Sequence, residues 1–138
     1  MRLSPHFTLE EMVKSQTALR MGLDNSPGPD QFEALVSLCE FALEPIRNHY
    51  ERPVIVSSGF RALAVNKAIG SKDKSQHTKG QAADIESPGL DNLELYYWIA
   101  ENLDFDQLIL EFYSGEPSSG WVHVSYVGSE NRGQTLRI

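Results

Sequence analysis

Two histidines and one aspartate are the residues with the clearest potential for chemistry. The sequence has only four histidines; His77 lies in a polar segment and His123 in an apolar, strand-like one. Asp84 follows two alanines and precedes Ile85, a setting in which a carboxylate is costly unless it is paired or bound to metal. Two imidazoles and a carboxylate suit zinc, with a fourth position for water. The spacing alone leaves a structural role open for each, as a hydrogen-bonded histidine or a capping aspartate.

Composition bounds the classes of protein to which the chain can belong. Its 138 residues fit one domain (residues 1–138), and 41% hydrophobic and 22% charged residues are typical of a globular protein. A net charge of −7 argues against a general nucleic-acid binder. No run approaches the roughly 20 apolar residues of a membrane span, so no membrane insertion is expected. The single cysteine, Cys39, excludes an intrachain disulfide and is expected to be buried and inert.

The three residues must be positioned by a small set of strands. Alternation within the Trp121–Tyr126 strand places Trp121, His123 and Ser125 on one face and the valines on the core face. A run of turn residues, Ser114–Gly120, precedes that strand and favours a hairpin-type connection. The other predicted strands are Pro53–Ser58, Ala82–Ile85, Gln107–Tyr113 and an edge strand at Gln134–Ile138.

Helical patterns alternate with these strands. A capping box at Thr8–Glu11 begins a short helix that reaches about Ser15, and a loop follows at Gly22–Asp30. Further helices are predicted at Asp30–His49, Arg61–Ile69 and Leu90–Leu103, and a polar loop is predicted at Ser71–Lys79. The order of elements predicts an α+β fold with a small, mostly antiparallel sheet flanked by helices.

Three motifs together resemble a known family. Ser75–Asp84 (SQHTKGQAAD), followed by Trp121–His123 (WVH), resembles the zinc site of D-Ala-D-Ala carboxypeptidase-like metallopeptidases, S-x-H-x-x-G-x-A-x-D and then W-x-H. Ser57–Arg61 (SSGFR) is similar to the S-G-[YF]-R segment that precedes that site. Phe7–Met12 and the long helix with Pro45–Arg47 resemble the small single-domain members common in phages and prophages. The resemblance covers essentially the whole chain and implies the hedgehog/D-Ala-D-Ala-peptidase-like fold.

The resemblance also implies roles for individual residues. His77, Asp84 and His123 would be the ligands of one zinc ion. Arg61 would bind a substrate carboxylate or polarise the scissile carbonyl, as its planar guanidinium allows. The alternative for Arg61 is a helix-start residue with a solvated head group. Two neighbouring polar side chains would bind substrate or orient the ligands: Ser75 and Gln76.

The general base is the position at which the sequence departs from the family. Better-known members have a carboxylate three residues before the last histidine, where this chain has Gly120. Glu111, in the apolar strand, is the best replacement, because pairing of the two strands could bring it beside His123. Glu116 in the connecting loop is the second candidate. Glu111 could instead lie exposed on the polar face of its strand.

The resemblance implies a zinc peptidase that hydrolyses a peptide bond in peptidoglycan stem peptides, as a carboxypeptidase or endopeptidase. The N-terminal segment lacks a signal-peptide pattern, so we expect synthesis in the cytoplasm, then action on the cell wall after release or within a virion. Two alternatives stay open at this point. One is a zinc-stabilised binding module, as hedgehog domains are, which Gly120 favours; the other is a phage structural or assembly domain. Neither the cleaved bond nor the oligomeric state follows from the sequence.

Overall fold

Seven strands form two sheets. A computed structural model describes all residues, Met1–Ile138. The strands are β1 Arg2–Ser4, β2 Phe7–Thr8, β3 Ile55–Ser58, β4 Ala82–Glu86, β5 Gln107–Glu111, β6 Trp121–Ser125 and β7 Gln134–Arg137. The first two form a small hairpin, and the others form a five-stranded sheet in the order β3-β4-β6-β5-β7. Every neighbouring pair is antiparallel except β5 and β7, which are parallel. The mostly antiparallel sheet is therefore confirmed, and β7 is the predicted edge strand.

Six α-helices flank the sheets, which makes the fold α+β as predicted. They are α1 Leu9–Val13, α2 Gln16–Met21, α3 Pro29–Leu38, α4 Glu44–Tyr50, α5 Leu63–Ile69 and α6 Asn92–Asn102. A π-helical turn, Cys39–Leu43, joins α3 to α4, and a 3₁₀ turn, Gln76–Lys79, precedes β4. None of these helices combines the length and the apolar character needed to cross a membrane.

The long amphipathic helix predicted over Asp30–His49 is present but not regular. Its α-helical halves are separated by the π-helical turn, which ends at Leu43, two residues before Pro45. A proline inside an α-helix has no N–H to donate, and its ring crowds the carbonyl four residues earlier, here that of Phe41. The wider π turn relieves that conflict. Cys39 lies in this turn, and its burial raises the thiol pKa to about 12, as expected for an inert core residue.

The two faces of the central sheet have different environments. One face packs against the helices and contributes six fully or almost fully buried side chains to the core: Ala83, Ile85, Leu108, Leu110, Val122 and Val124. The opposite face carries Asp84 on β4, His123 on β6, and Ile109 and Glu111 on β5. The predicted alternation along β6 is therefore correct, and all candidate residues of these strands share the face away from the core.

The N-terminal region is more structured than the sequence indicated. The capping box is confirmed, since Thr8 Oγ1 accepts from the Glu11 N–H (3.2 Å) and Glu11 Oε1 accepts from the Thr8 N–H (3.1 Å). The β1–β2 hairpin and α2 were not predicted. The hairpin depends on contacts distant in sequence, because the buried Glu44 carboxylate of α4 accepts from Ser4 Oγ (2.7 Å) and His6 N (2.7 Å).

The helix predicted over Arg61–Ile69 begins later, at Leu63. The backbone N–H groups just before it make tertiary hydrogen bonds, from Arg61 to the His77 carbonyl (3.0 Å) and from Ala62 to Asn25 Oδ1 (2.7 Å). These bonds fix Arg61 in a non-helical connection beside His77. The interpretation of Arg61 as a helix-start residue is therefore wrong.

Candidate metal centre

Two histidines and one aspartate converge at the face of the sheet that points away from the core. One ligand atom from each of His77, Asp84 and His123 lies within 4.8 Å of the others. Asp84 Oδ1 is 2.9 Å from His123 Nδ1 and 3.4 Å from His77 Nε2. Both imidazoles therefore face one carboxylate oxygen, in an arrangement that could hold a metal ion.

Strand register brings Asp84 and His123 together. They are directly paired residues of the antiparallel strands β4 and β6, so their side chains project side by side from one face. His77 comes from the 3₁₀ turn, which is capped by Ser75 Oγ accepting from the His77 N–H (3.3 Å). Gly80 connects this turn to β4 with a φ of +72°, and a Cβ there would lie 2.5 Å from the Gln31 carbonyl oxygen. Glycine is therefore required at this position of the motif.

A hydrogen bond fixes the His77 ring. Its Nδ1 donates to the Gly59 carbonyl (2.8 Å), which leaves Nε2 directed toward Asp84. Contacts of this kind set the tautomer and orientation of metal-binding histidines. A Cβ on Gly59 would lie 2.4 Å from the Met12 carbonyl oxygen, so the chain can pass this close only with glycine. The SSGFR segment thus supports the centre although it supplies no ligand.

The electrostatics of the cluster favour an ionised Asp84. Burial alone would raise its pKa, but hydrogen bonds from His123 and then His77 outweigh burial and hold the pKa well below its usual range. An anionic oxygen and two imidazole nitrogens match the donor set that zinc takes in proteins. The donors present therefore fit a zinc ion.

A cleft of about 550 Å³ opens beside the three residues. Glu111, directly paired with Trp121, lines it, and Glu111 Oε2 accepts from the Trp121 indole N–H (2.9 Å). Glu116, the second candidate for the base, is exposed in the connecting loop and does not line the cleft. Gly120 has a φ of +63°. Glu111 is thus the candidate carboxylate that shares the cleft with the three residues.

Comparison with known families agrees with this geometry. A family model described as Peptidase M15 matches residues 5–125. The chain belongs to the M15 peptidase family. M15 peptidases are zinc-dependent metallopeptidases, so this chain is a metallopeptidase and zinc is its cofactor. A search among curated proteins found no match.

In this M15 peptidase, Arg61 lies half-buried in the cleft. Its Nε is buried without a hydrogen-bond partner. Burial lowers the pKa of Arg61, and the nearby carboxylates of Asp84 and Glu111 oppose that effect. Arg61 lines the cleft, and its planar guanidinium is the kind of group that binds an anionic group of a ligand.

Ser75 and Gln76 both line the cleft but also make contacts within the protein. Ser75 caps the turn that carries His77, and Gln76 Nε2 donates to Asp106 Oδ2 (2.8 Å). These contacts support an orienting role for both residues. Whether either also touches substrate stays a prediction.

Several residues of the cleft were not found from the sequence. Arg132, Lys74 and Lys79 line it, and Asp106 lies buried behind it. Hydrogen bonds from Arg132 hold the pKa of Asp106 low, at about 2, against the effect of burial. The sequence around Arg132 gives no sign that this residue lines the cleft. Its partner, Asp106, lies 26 residues earlier in the chain, so the pairing leaves no local pattern.

Proposed function

We propose that this M15 peptidase hydrolyses a peptide bond in peptidoglycan stem peptides. In this proposal His77, Asp84 and His123 hold one zinc ion, Glu111 is the general base and Arg61 binds a substrate carboxylate. The observation that carries the proposal is that the three candidate ligands, Glu111 and Arg61 all line one cleft.

The donor set supports zinc at this place in the cleft. Zinc held by three protein ligands polarises a peptide carbonyl and lowers the pKa of water. The low pKa of Asp84 supplies an anionic ligand, and the contact with Gly59 directs Nε2 of His77 toward Asp84.

The strand pairing supports Glu111 as the base. Ile109 of β5 pairs with His123, and Glu111 lies two residues farther along the same face. At about 3.3 Å per residue, its backbone is roughly 7 Å from the level of the candidate metal centre, which a glutamate side chain can span. The carboxylate would accept a proton from the attacking water and deliver it to the leaving amine. The Trp121 indole N–H orients the carboxylate for that transfer.

The charge of the cleft supports an anionic substrate. The chain has a net charge of −7, yet four cationic residues line the cleft and only two carboxylates do. The cations are Arg61, Lys74, Lys79 and Arg132, and the carboxylates are Asp84 and Glu111. A local field opposite in sign to the whole protein attracts anionic ligands to this site. Stem peptides have peptide bonds that a metallopeptidase can hydrolyse, and they carry free carboxylates that a cationic cleft can bind.

Digestion of purified muropeptides tests the substrate. The zinc-loaded protein is incubated with muropeptides, with and without a chelator, and the products are resolved by mass spectrometry. We expect one stem-peptide bond to be cut only when zinc is present, and the product masses identify that bond. Intact muropeptides after incubation with fully zinc-loaded protein would exclude this substrate.

A further inference from the structure

Arg132, at one end of the cleft, is held in place by a buried carboxylate. Its Nη2 donates to Asp106 Oδ2 (2.8 Å), and its Nε and backbone N–H donate to Asp106 Oδ1 (3.1 Å each). Asp106 is only 3% exposed, so this partner is fixed within the protein. The guanidinium therefore has a defined position before any ligand binds.

The guanidinium retains donors for a ligand. Arginine has five N–H donors, and Asp106 occupies only Nε and one edge of Nη2. The side chain is 59% exposed and lines the cleft, so the remaining donors, those of Nη1 above all, are accessible there. A carboxylate can bind bidentately to such a group.

Other hydrogen bonds also anchor the loop that carries this arginine. The same loop is held by backbone bonds from Gly133 N to the Phe105 carbonyl (2.9 Å) and from Gln134 N to the Asp106 carbonyl (3.0 Å). Asn131 Nδ2 also donates to Asp104 Oδ2 (3.1 Å). The Arg132–Asp106 pair adds a cation to the cleft wall, which these other bonds do not provide.

The strands place Arg132 and Glu111 on opposite sides of the candidate metal centre. Arg132 binds Asp106, which directly precedes β5, and Gln107 at the start of β5 lines the same end of the cleft. Ile109, at the middle of β5, pairs with His123, and Glu111 ends the strand. A peptide lying along β5 would therefore pass Arg132, the metal centre and Glu111 in turn.

We propose that Arg132 is a specificity-determining residue that binds a second carboxylate of the substrate, in addition to the one bound by Arg61. This inference rests on the proposed function. It restricts the substrate to stem peptides with a free mid-chain carboxylate, the α-carboxylate of the γ-linked D-glutamate. Arg132 lies beyond the residues that the family model matches, 5–125, so the family match does not account for it.

A pair of synthetic peptides tests the inference. One is L-Ala-γ-D-Glu-L-Lys-D-Ala-D-Ala, and the other is the same peptide with the glutamate α-carboxylate converted to an amide. kcat and KM are measured for both peptides with the zinc-loaded wild type, Arg132→Gln and Arg137→Gln. Arg137 is an exposed arginine of β7 outside the cleft, so its substitution is the matched control for loss of one positive charge.

We expect amidation to lower kcat/KM by on the order of tenfold to a hundredfold for the wild type and Arg137→Gln, mostly through KM, as for loss of a charge-assisted contact. For Arg132→Gln, amidation should have almost no effect. If the role of Arg132 is merely structural, Arg132→Gln should lower kcat/KM by the same factor for both peptides. Equal sensitivity to amidation in wild type and Arg132→Gln would overturn the inference.

Failure of the proposed function is recognised separately. If the zinc-loaded wild type cuts neither peptide, the assigned substrate is wrong. The role of Arg132 is then tested by peptide binding alone. Each peptide is titrated into ¹⁵N-labelled protein while the Arg132 Nε–H resonance is followed. A shift with the carboxylate peptide alone supports the inference, and equal responses to both peptides contradict it.

Discussion

The carbonyl oxygen of Glu111 occupies the place where a side chain at position 120 would begin. An ideal Cβ on Gly120 would lie 1.9 Å from that oxygen, with the Phe112 backbone 2.7 Å away. A carboxylate side chain at position 120, which the resemblance to the family would imply, therefore cannot be accommodated in this backbone. The strand that excludes it supplies Glu111 to the same cleft.

We expect Gly120→Ala to destabilise the protein for two reasons. Alanine is unfavourable at a positive φ, and its Cβ would also clash with the Glu111 carbonyl oxygen. Gly22 is the matched control, because it also has a φ of +63° but nothing within 4 Å of an added Cβ. Gly22→Ala should lower the free energy of unfolding by about 1 kcal/mol. Gly120→Ala should cost about 1–3 kcal/mol more, since the strand pairing must open. Urea unfolding measures both, and equal losses would contradict the close approach to Glu111.

Glu111→Gln should abolish most of the activity without removing zinc. Loss of a general base lowers kcat by about 10²- to 10⁴-fold, and Glu111 is not among the candidate ligands. Glu116→Gln removes the same charge from the exposed loop and should retain the wild-type rate. Rates are measured on muropeptides, and zinc content by elemental analysis. A rate that falls in Glu116→Gln but not in Glu111→Gln would reverse the assignment.

His77→Ala and His123→Ala should each abolish stoichiometric zinc binding, because only three protein ligands are present. His49→Ala is the control, since His49 stacks on Trp98 and lies outside the cleft. Zinc per protein after dialysis should stay near one for the control and fall toward zero for the other two variants. Equal zinc content in wild type and His77→Ala would refute the ligand assignment.

The sequence predicted the parts of the site that depend on local pattern. Alternation along β6 placed His123 on the face away from the core, and the S-x-H-x-x-G-x-A-x-D spacing grouped His77 with Asp84. The sequence could not show why glycine is needed at positions 80 and 59. The backbone atoms that exclude a side chain at Gly80 and Gly59 belong to Gln31 and Met12, which are distant in the chain.

Features that depend on contacts between distant segments were missed. Arg132 joins the cleft through Asp106, and the N-terminal hairpin is held by Glu44; neither pairing leaves a periodic pattern. The end of α5 at Ile69 was predicted correctly, but its start was not, since the N–H groups of Arg61 and Ala62 make tertiary hydrogen bonds just before it. Local propensity thus predicts whether a segment is a helix or a strand better than it predicts the residue at which that segment begins.

Asp106 should make stability depend on pH in the acidic range. Its pKa is about 2 in the folded protein, below the roughly 3.9 of an unfolded aspartate, because Arg132 and Gln76 hydrogen-bond to the carboxylate. A lowered folded-state pKa gives stability that is present in full above about pH 4 and lost as the pH falls toward 2. The Asp106→Asn variant should therefore be less stable than wild type at pH 7, and the difference should shrink below pH 4.

Urea unfolding between pH 7 and pH 2.5 measures this difference in stability. Asp73→Asn, which changes an exposed aspartate, is the control and should show no such pH-dependent gap. A stability gap for Asp106→Asn that stays constant down to pH 2.5 would contradict the low pKa of Asp106.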